Sequence, residues 1–554
     1  MLRSGLSSLS PFFMLSNKII HLLLKAQKLR DKKKHKECIE LCQTIIKKSP
    51  NTPQAYELMG LSALDSHDFY LAESAGKNAT RLEPTNPNGA LIASVALTNI
   101  SQDQSAIQIL EDQLSRTPNI VALMFNLHAC FANLGKNQQA LEVALKTVQL
   151  EPTNADAFNN LGASLHAVNR LEDAAIAFKT AIDLNPKQFT ARLNLVNTMV
   201  SDDTGKIIEI NKTLEMFGDQ MPERVKIGSL HNSAFAYLRV GDLKNGWERL
   251  EYGFSPLIDS GRGRRPQRSF NVPRWMGESL TNKTLMVWTE QGLGDGIMFG
   301  SVLPDLTEAG GKVIVECEPR LVKLFARSFP QYEVRSEFYR AVFPFDSPIE
   351  DFDVQIPFGS LGGIYRQSIQ DFDKSAPYLK VDPDLFTEYA NRIKAIAGNK
   401  KIIGLCWRSG VVSPSRGTGY TQLDDWQELI SMDDVCVVNL QYGKCEEELL
   451  AIEKETGKQI IRWPDTDLQN DLDALAAIIK NLDLVCTVGT VVAQMGGALG
   501  VPTLLCALSY GYTSFGTNRF PYFPDIHMVV DENHKNILNS VNMATSIVRQ
   551  LSKT

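Results

Sequence analysis

Long hydrophobic runs are missing from this chain. No apolar stretch approaches the roughly 20 residues that a membrane-spanning helix needs. A basic excess is missing too. With 22% charged residues and a net charge of −6, the composition gives no footprint for bulk nucleic-acid binding. Local basic runs, Lys32-Lys33-Lys34 and Arg262-Gly-Arg-Arg265, read as solvated helix ends and linker. There is no C-x-x-C pair among the nine cysteines, an odd count, and five of them sit in apolar strand-like runs (Cys317, Cys406, Cys436, Cys486, Cys506). That is a reduced-thiol pattern rather than a disulfide framework. Histidine is scarce late in the chain, where only His527 and His534 occur, so neither a zinc site nor a histidine-based triad is expected there. No G-x-x-x-x-G-K-[ST] occurs, which argues against a P-loop NTPase. Residues 1–16 hold Pro11-Phe-Phe-Met-Leu15 but lack a signal-type apolar region, so a flexible N-terminus and a cytoplasmic location are expected.

What is present is a period. Prolines at 50, 84, 118, 152 and 186 are each 34 residues apart, and Cys38, Ala72, Ala106, Ala140 and Ala174 keep the same step. A 34-residue repeat with a small residue at one helix–helix contact and proline near the second helix's end is the tetratricopeptide pattern. In the best unit Gly162 lets two helices approach, and Leu161, Leu165, Ala174 and Phe178 form the apolar seam. A last helix pair is expected through His231–Leu238 and Gly241–Tyr252. Such stacks bind segments of other proteins. Asn159, Asn160, Asn194 and Asn197 project from first-helix positions, where they read as polar surface or as a clamp on a peptide backbone.

The second half alternates strands with helices, which predicts parallel sheets with ligands beyond the strands' carboxyl ends. The predicted strands include Leu285–Thr289, Val313–Glu316, Ala341–Phe345, Val354–Ile356, Ile402–Trp407, Val435–Leu440, Gln459–Trp463, Leu484–Val488 and Thr503–Ala507. After the first of these, Gly292, Gly294 and Gly296 crowd a turn around Asp295 before a helix. Asp295 reads either as that helix's N-cap or as a base at the mouth of a cleft.

Five segments taken in order resemble a known family: Glu290-Gln-Gly-Leu-Gly-Asp295, Gly404-Leu-Cys-Trp-Arg-Ser-Gly410, Asn439-Leu-Gln-Tyr-Gly443, Leu482-Asp-Leu-Val-Cys-Thr-Val-Gly-Thr490 and Gly496-Gly-Ala-Leu-Gly-Val-Pro502. They resemble the bacterial tetratricopeptide-repeat proteins whose C-terminal half is a heptosyltransferase-like GT-B (GT9-type) glycosyltransferase. The likeness runs over roughly residues 230–530. Some members with this layout glycosylate flagellin with nonulosonic acids. The resemblance implies an α superhelix plus α/β fold. Its parts would be a flexible 1–16, a repeat array over 17–254, a linker over 255–280, Rossmann-like domains over 281–398 and 399–532, and a C-terminal helix over 533–554.

The resemblance also implies a protein O-glycosyltransferase with Asp295 as general base, Gly292 and Gly294 in the cleft loop, and no metal. On the donor side it implies Arg408, Ser409, Gln441, Tyr442, Thr490, Val491 and Gln494. Arg408 would face the donor phosphate rather than a surface salt bridge, Arg416 reads as surface, and Thr490 would cap the helix after it. No cofactor is implied beyond a nucleotide-activated sugar as substrate. The implied partner is a protein acceptor on the repeat array, flagellin in the first place. Two departures stand out: many relatives have Asp-Thr where this chain has Gly489-Thr490, and His where it has Gln494. They leave two other readings open, a non-catalytic scaffold and a transferase acting on a lipopolysaccharide-type glycan. Asp351-Phe-Asp353, Asp371-Phe-Asp373 and Asp465-Thr-Asp467 read as ordinary acidic loops.

Overall fold

The computed structural model describes residues 16–199, 202–258, 263–266, 268–337, 351–410, 419–532 and 536–552. The expected flexible start, the strand Ala341–Phe345, Arg416 and His534 lie outside the described residues. The chain divides into two compact units, 1–220 and 221–554.

The first unit is a helical solenoid. Its first helices begin at Asn17, Pro53, Pro87, Val121, Ala155 and Phe189, and their partners begin at His35, Phe69, Asp103, Asn137, Leu171 and Asp203. Starts are local. Pro53 and Pro87 occupy the first turn, where a missing N–H costs nothing, and Asp68, Asn86 and Asn154 cap with their side chains. The phased small residues Cys38, Ala72, Ala106, Ala140 and Ala174 are all buried at helix contacts. A Cβ on Gly162 would lie 2.6 Å from the Phe178 ring, so the close approach expected there is real. Of the projecting asparagines, Asn159 is buried and accepts a hydrogen bond from Asn194 Nδ2 at 3.0 Å; Asn197 is exposed.

The second unit opens with the helix pair Glu223–Arg239 and Leu243–Leu250, followed by a 3-10 turn, Glu251–Phe254. The repeat pattern groups this pair with the array, yet it packs inside the second unit. Trp247 Nε1 donates to Arg366 O at 2.6 Å, Trp247 meets the Phe515 ring edge-on at 5.6 Å, and Phe235 meets Tyr512 at 5.1 Å.

Two parallel sheets follow. The first contains β1 (Thr284–Trp288), β2 (Lys312–Cys317), β3 (Glu333–Ser336) and β4 (Val354–Pro357), in the order β3-β2-β1-β4. The second contains β5 (Lys401–Cys406), β6 (Val435–Asn439), β7 (Leu484–Thr487), β8 (Thr503–Ala507) and β9 (Ile526–Val530), in the order β6-β5-β7-β8-β9. Registers such as Val287 against Val315 and Leu405 against Asn439 place the carboxyl ends of neighbouring strands side by side. One continuous core joins the two halves. Across it Tyr378 Oη donates to Ile297 O at 2.6 Å, and Arg327 Nη1 pairs with Asp473 at 2.7 Å.

The expected strand Gln459–Trp463 is not one. It reduces to a single bridge, Val438 to Ile461, in which Ile461 N donates to Val437 O at 2.8 Å and Ile461 O accepts from Asn439 N at 2.9 Å, while the next N–H back, that of Ile460, goes to Glu453 Oε1 at 2.7 Å. All nine cysteines are free and buried. The D-x-D carboxylates hold loops. Asp353 accepts from Thr284 N at 2.7 Å, Asp371 from Ser368 N at 2.8 Å, and Asp465 pairs with Arg392 at 2.9 Å.

Candidate functional site

The carboxyl-end loops of both sheets line one cleft of about 890 Å³. From the first sheet come Gln291 to Asp295 beyond β1 and Arg320 beyond β2. From the second come Ser409, Tyr442, Gly489 to Val491 and Gln494, and Ala507 to Ser509. Strands end there on glycines and small residues, and two helices begin there, Leu293–Gly300 and Val491–Leu499. Their first N–H groups lack intrahelical partners, so both ends carry partial positive charge toward the cleft.

Asp295 is not the N-cap. Gly292 holds that position and Asp295 is three residues further on, where Oδ2 accepts from Gly292 N at 3.0 Å. The carboxylate is half-buried and lines the cleft. Gly294 has a spatial reason: a Cβ there would sit 3.4 Å from Gln494 Oε1 and 3.8 Å from Val491 Cα. The loop is held from behind. Arg264 and Glu290 are buried together, with Arg264 Nε donating to Glu290 Oε2 at 2.7 Å, and Glu290 Oε1 also accepts from Gly359 N at 3.0 Å. Arg264 Nη1 reaches Glu251 at 2.9 Å, and Glu251 pairs in turn with Arg274. Burial works against the Arg264 charge, but Glu290 and Glu251 more than offset it and hold the guanidinium above its ordinary range. Gln291, at φ 63, is a strained non-glycine whose N–H donates to Arg265 O at 2.6 Å. Burial, with Asp295 and Glu290 nearby, pushes the Tyr512 hydroxyl up.

The residues expected on a donor side divide. Ser409, Tyr442, Thr490, Val491 and Gln494 line the cleft. Arg408 is absent from its lining and instead grips Glu448 with both terminal nitrogens at 2.5 Å, while Nη2 also donates to Lys444 O at 3.0 Å. That is the salt bridge the sequence left as the other reading. Gln441 is buried, and its Oε1 accepts from Trp407 N at 3.2 Å and Arg408 N at 3.0 Å, so it organises the β5 exit. With Tyr442 it borders an adjoining cavity of about 840 Å³. Thr490 occupies the N-cap position without capping. Its hydroxyl bonds Thr487 Oγ1 at 3.1 Å, above the buried Cys406 thiol, which burial pushes up to about 11.

The cations that do line the cleft are Arg265, which the sequence offered only as part of a basic linker run, and Arg320, which it did not single out. Arg320 Nε donates to Glu318 at 2.7 Å and Nη1 to Gln469 O at 2.7 Å. The carboxyl-end rule applied to β2 and β8 points to Arg320 and to Ala507–Ser509; the basic run ending at Arg265 carried no signal for the cleft, since it reaches it from the linker. Among the described residues the charged lining is Asp295, Arg265 and Arg320. A carboxylate in one cleft with two arginines and two helix N-termini is an arrangement that can take a proton from a hydroxyl and hold an anion.

Repeats plus parallel-sheet α/β architecture define the class. No family model matches the chain. Protein FlbA of Caulobacter vibrioides is 29% identical over 436 residues, covering 69% of this chain and 71% of that protein. That share exceeds what either compact unit holds, so the likeness enters both. Anaphase-promoting complex subunit 3 of Schizosaccharomyces pombe is 22% identical over 158 residues, covering 28% of this chain and 24% of that one. Among solved structures, MamA from Desulfovibrio magneticus (22% identity, TM-score 0.28) covers 31% of this chain and 97% of its own. YrrB, described as a TPR protein with an unusual peptide-binding site (21%, TM-score 0.28), covers 32% and 91%. Among the described residues no helix is long and apolar enough to cross a membrane.

Proposed function

We propose that the second unit is a GT-B-type glycosyltransferase that moves a sugar from a nucleotide-activated donor to a Ser or Thr hydroxyl of a protein, flagellin in the first place. The repeat unit would recruit that acceptor. The observation that carries the reading is that Asp295, Arg265 and Arg320 line one cleft ringed by the carboxyl-end loops of two parallel sheets. Asp295 takes the proton from the acceptor hydroxyl as its oxygen attacks the anomeric carbon. The bond from that carbon to the donor phosphate breaks, and the nucleotide leaves with the electron pair. The two guanidiniums and the helix N-termini stabilise the departing charge. The adjoining cavity behind Tyr442 has room for the nucleoside. The five-segment resemblance and the FlbA likeness across both units support the layout.

Intact mass of flagellin, co-expressed with this chain in cells that make activated nonulosonic acids, tests the proposal. A mass increment with the wild-type chain, absent with Asp295→Ala, is the expected result. Flagellin unmodified by a folded wild-type chain would sink it. Two features favour a second reading, a binding scaffold without catalysis: Arg408 is engaged by Glu448, and Gln494 stands where many members of the resembled family carry histidine. A scaffold predicts flagellin co-purifying unmodified and indifferent to Asp295→Ala.

A further inference from the structure

The cleft turn has three glycines, Gly292, Gly294 and Gly296, and none of them has a positive φ. The left-handed position of this turn belongs to Gln291, at φ 63. Glycine adopts that conformation freely, whereas a residue with a Cβ is strained in it. Among the described residues of the second unit, three non-glycine residues share it: Asn282, Gln291 and Phe515. Two of them have a reason in the fold. Asn282 is of a type that tolerates the left-handed region, and it sits in the exposed turn before β1. Phe515 is only 2% exposed, with its ring 4.9 Å from Phe372 and 5.6 Å from Trp247, so core burial offsets its strain. Gln291 has neither reason. It is exposed on the cleft wall and fills no core.

The strained residue is held from both sides. Gln291 N donates to Arg265 O at 2.6 Å. Glu290, just before it, is locked by Arg264, and Gly292, just after it, donates to Asp295 Oδ2 at 3.0 Å. Strain that the surroundings over-determine in this way, at the mouth of a cleft, points to a use for the side chain. Its place in the cleft narrows that use. Gly263, Arg265 and Gln291 to Asp295 line the main cleft, and none of them borders the adjoining cavity, whereas Tyr442, Leu468 and Gln469 border both. Gln291 therefore stands on the wall away from the nucleoside, four residues before Asp295.

We infer that Gln291 is an acceptor-binding residue: its side-chain amide pairs with a backbone amide of the protein acceptor, beside the hydroxyl that Asp295 deprotonates. The role rests on the transferase reading of the cleft and names the wall on which the acceptor lies. A side-chain amide is uncharged and both donates and accepts hydrogen bonds, which matches a peptide group and not the phosphate of a nucleotide sugar. Gly292, next along the turn, has no side chain to keep an extended segment off this wall. Because the contact reads backbone, it places a Ser or Thr at Asp295 whatever residues flank it.

The test uses the purified full chain, unmodified flagellin and a deproteinised extract of cells that make activated nonulosonic acids, with transfer timed by intact mass. Gln291→Gly should slow transfer about tenfold while its melting temperature holds or rises, since glycine relieves the turn. Gln291→Asn tolerates the left-handed conformation and keeps an amide, so its rate should stay within about threefold of wild type. The dilution of extract that halves the rate should be the same for all three chains, because the nucleotide side of the cleft is unchanged. Transfer by Gln291→Gly at the wild-type rate overturns the inference. So does a lower melting temperature for that variant, a shifted extract dependence, or a Gln291→Asn chain as slow as the glycine one. Equal slowing with a lipopolysaccharide-type glycan as acceptor overturns the peptide contact. A wild-type chain that leaves flagellin unmodified refutes the transferase reading itself, a result distinct from all of these.

Discussion

Arg264 and Glu290 form an ion pair out of reach of water, directly behind the loop that carries Asp295. Removing one partner of such a pair leaves an uncompensated buried charge, which typically costs about 3–5 kcal/mol. Arg264→Ala is therefore expected to lower unfolding free energy of the second unit by about that amount in chemical denaturation. Arg264→Met combined with Glu290→Gln should recover a large part of the loss.

Asp295→Asn keeps an oxygen to accept from Gly292 N, so the turn should persist. What it loses is basicity. Transfer should fall by about 10²–10⁴-fold, the usual contribution of a general base, with the melting temperature little changed. Rates follow from timed intact-mass spectra of the acceptor.

If the cleft binds a nucleotide-activated sugar, two arginines are candidates for its phosphate. Both are engaged by a glutamate, Arg320 by Glu318 and Arg408 by Glu448, but only Arg320 lines the cleft. A hydrogen bond to a charged group is worth about 1.5–3 kcal/mol. Arg320→Ala should therefore weaken nucleotide-sugar binding about tenfold or more by calorimetry, and Arg408→Ala distinctly less. The reverse order would mean that Arg408 leaves Glu448 when donor binds.

Gly162 faces the Phe178 ring with no room for a methyl group. Gly162→Ala should destabilise the repeat unit by about 1–3 kcal/mol through overpacking. Phe178→Leu in the same chain should return part of it, a coupling readable from the double-mutant cycle.

His128 is buried against Ser164 Oγ at 2.8 Å. Burial lowers its pKa, and the Asn160 carbonyl offsets this only in part. An unfolded imidazole protonates near pH 6.5, while the buried one resists until the pH is lower. The unfolded state therefore binds more protons as the pH drops, and the repeat unit should lose stability from about pH 6.5 downward. His128→Gln should flatten that slope in thermal melts taken across the range.

The repeat unit was legible because its information is local: a proline, a small residue and a cap recur within each 34-residue stretch. The apolar strands were legible for the same reason. β3 and β9 were not: Glu333-Val-Arg-Ser336 reads as polar, and each strand is defined by its neighbour, β3 by β2 and β9 by β8. Side-chain partners were the least legible part of the site. Whether Arg408 meets a phosphate or a carboxylate is decided by Glu448, 40 residues further along the chain. Arg265 reaches the cleft from a stretch that composition marks only as linker. Asp295 and its glycines were visible because strand, turn and helix follow one another without a break.

The helix pair Glu223–Leu250 looks like one more repeat, but Trp247 and Glu251 root it among the sheets. Ahead of it, repeats can be duplicated or lost in steps of 34 without disturbing any buried charge behind Asp295. Within it, the same edit would sever Glu251 from Arg264. A lineage is thus free to lengthen its repeat array, while this one pair stays tied to the cleft as a single block.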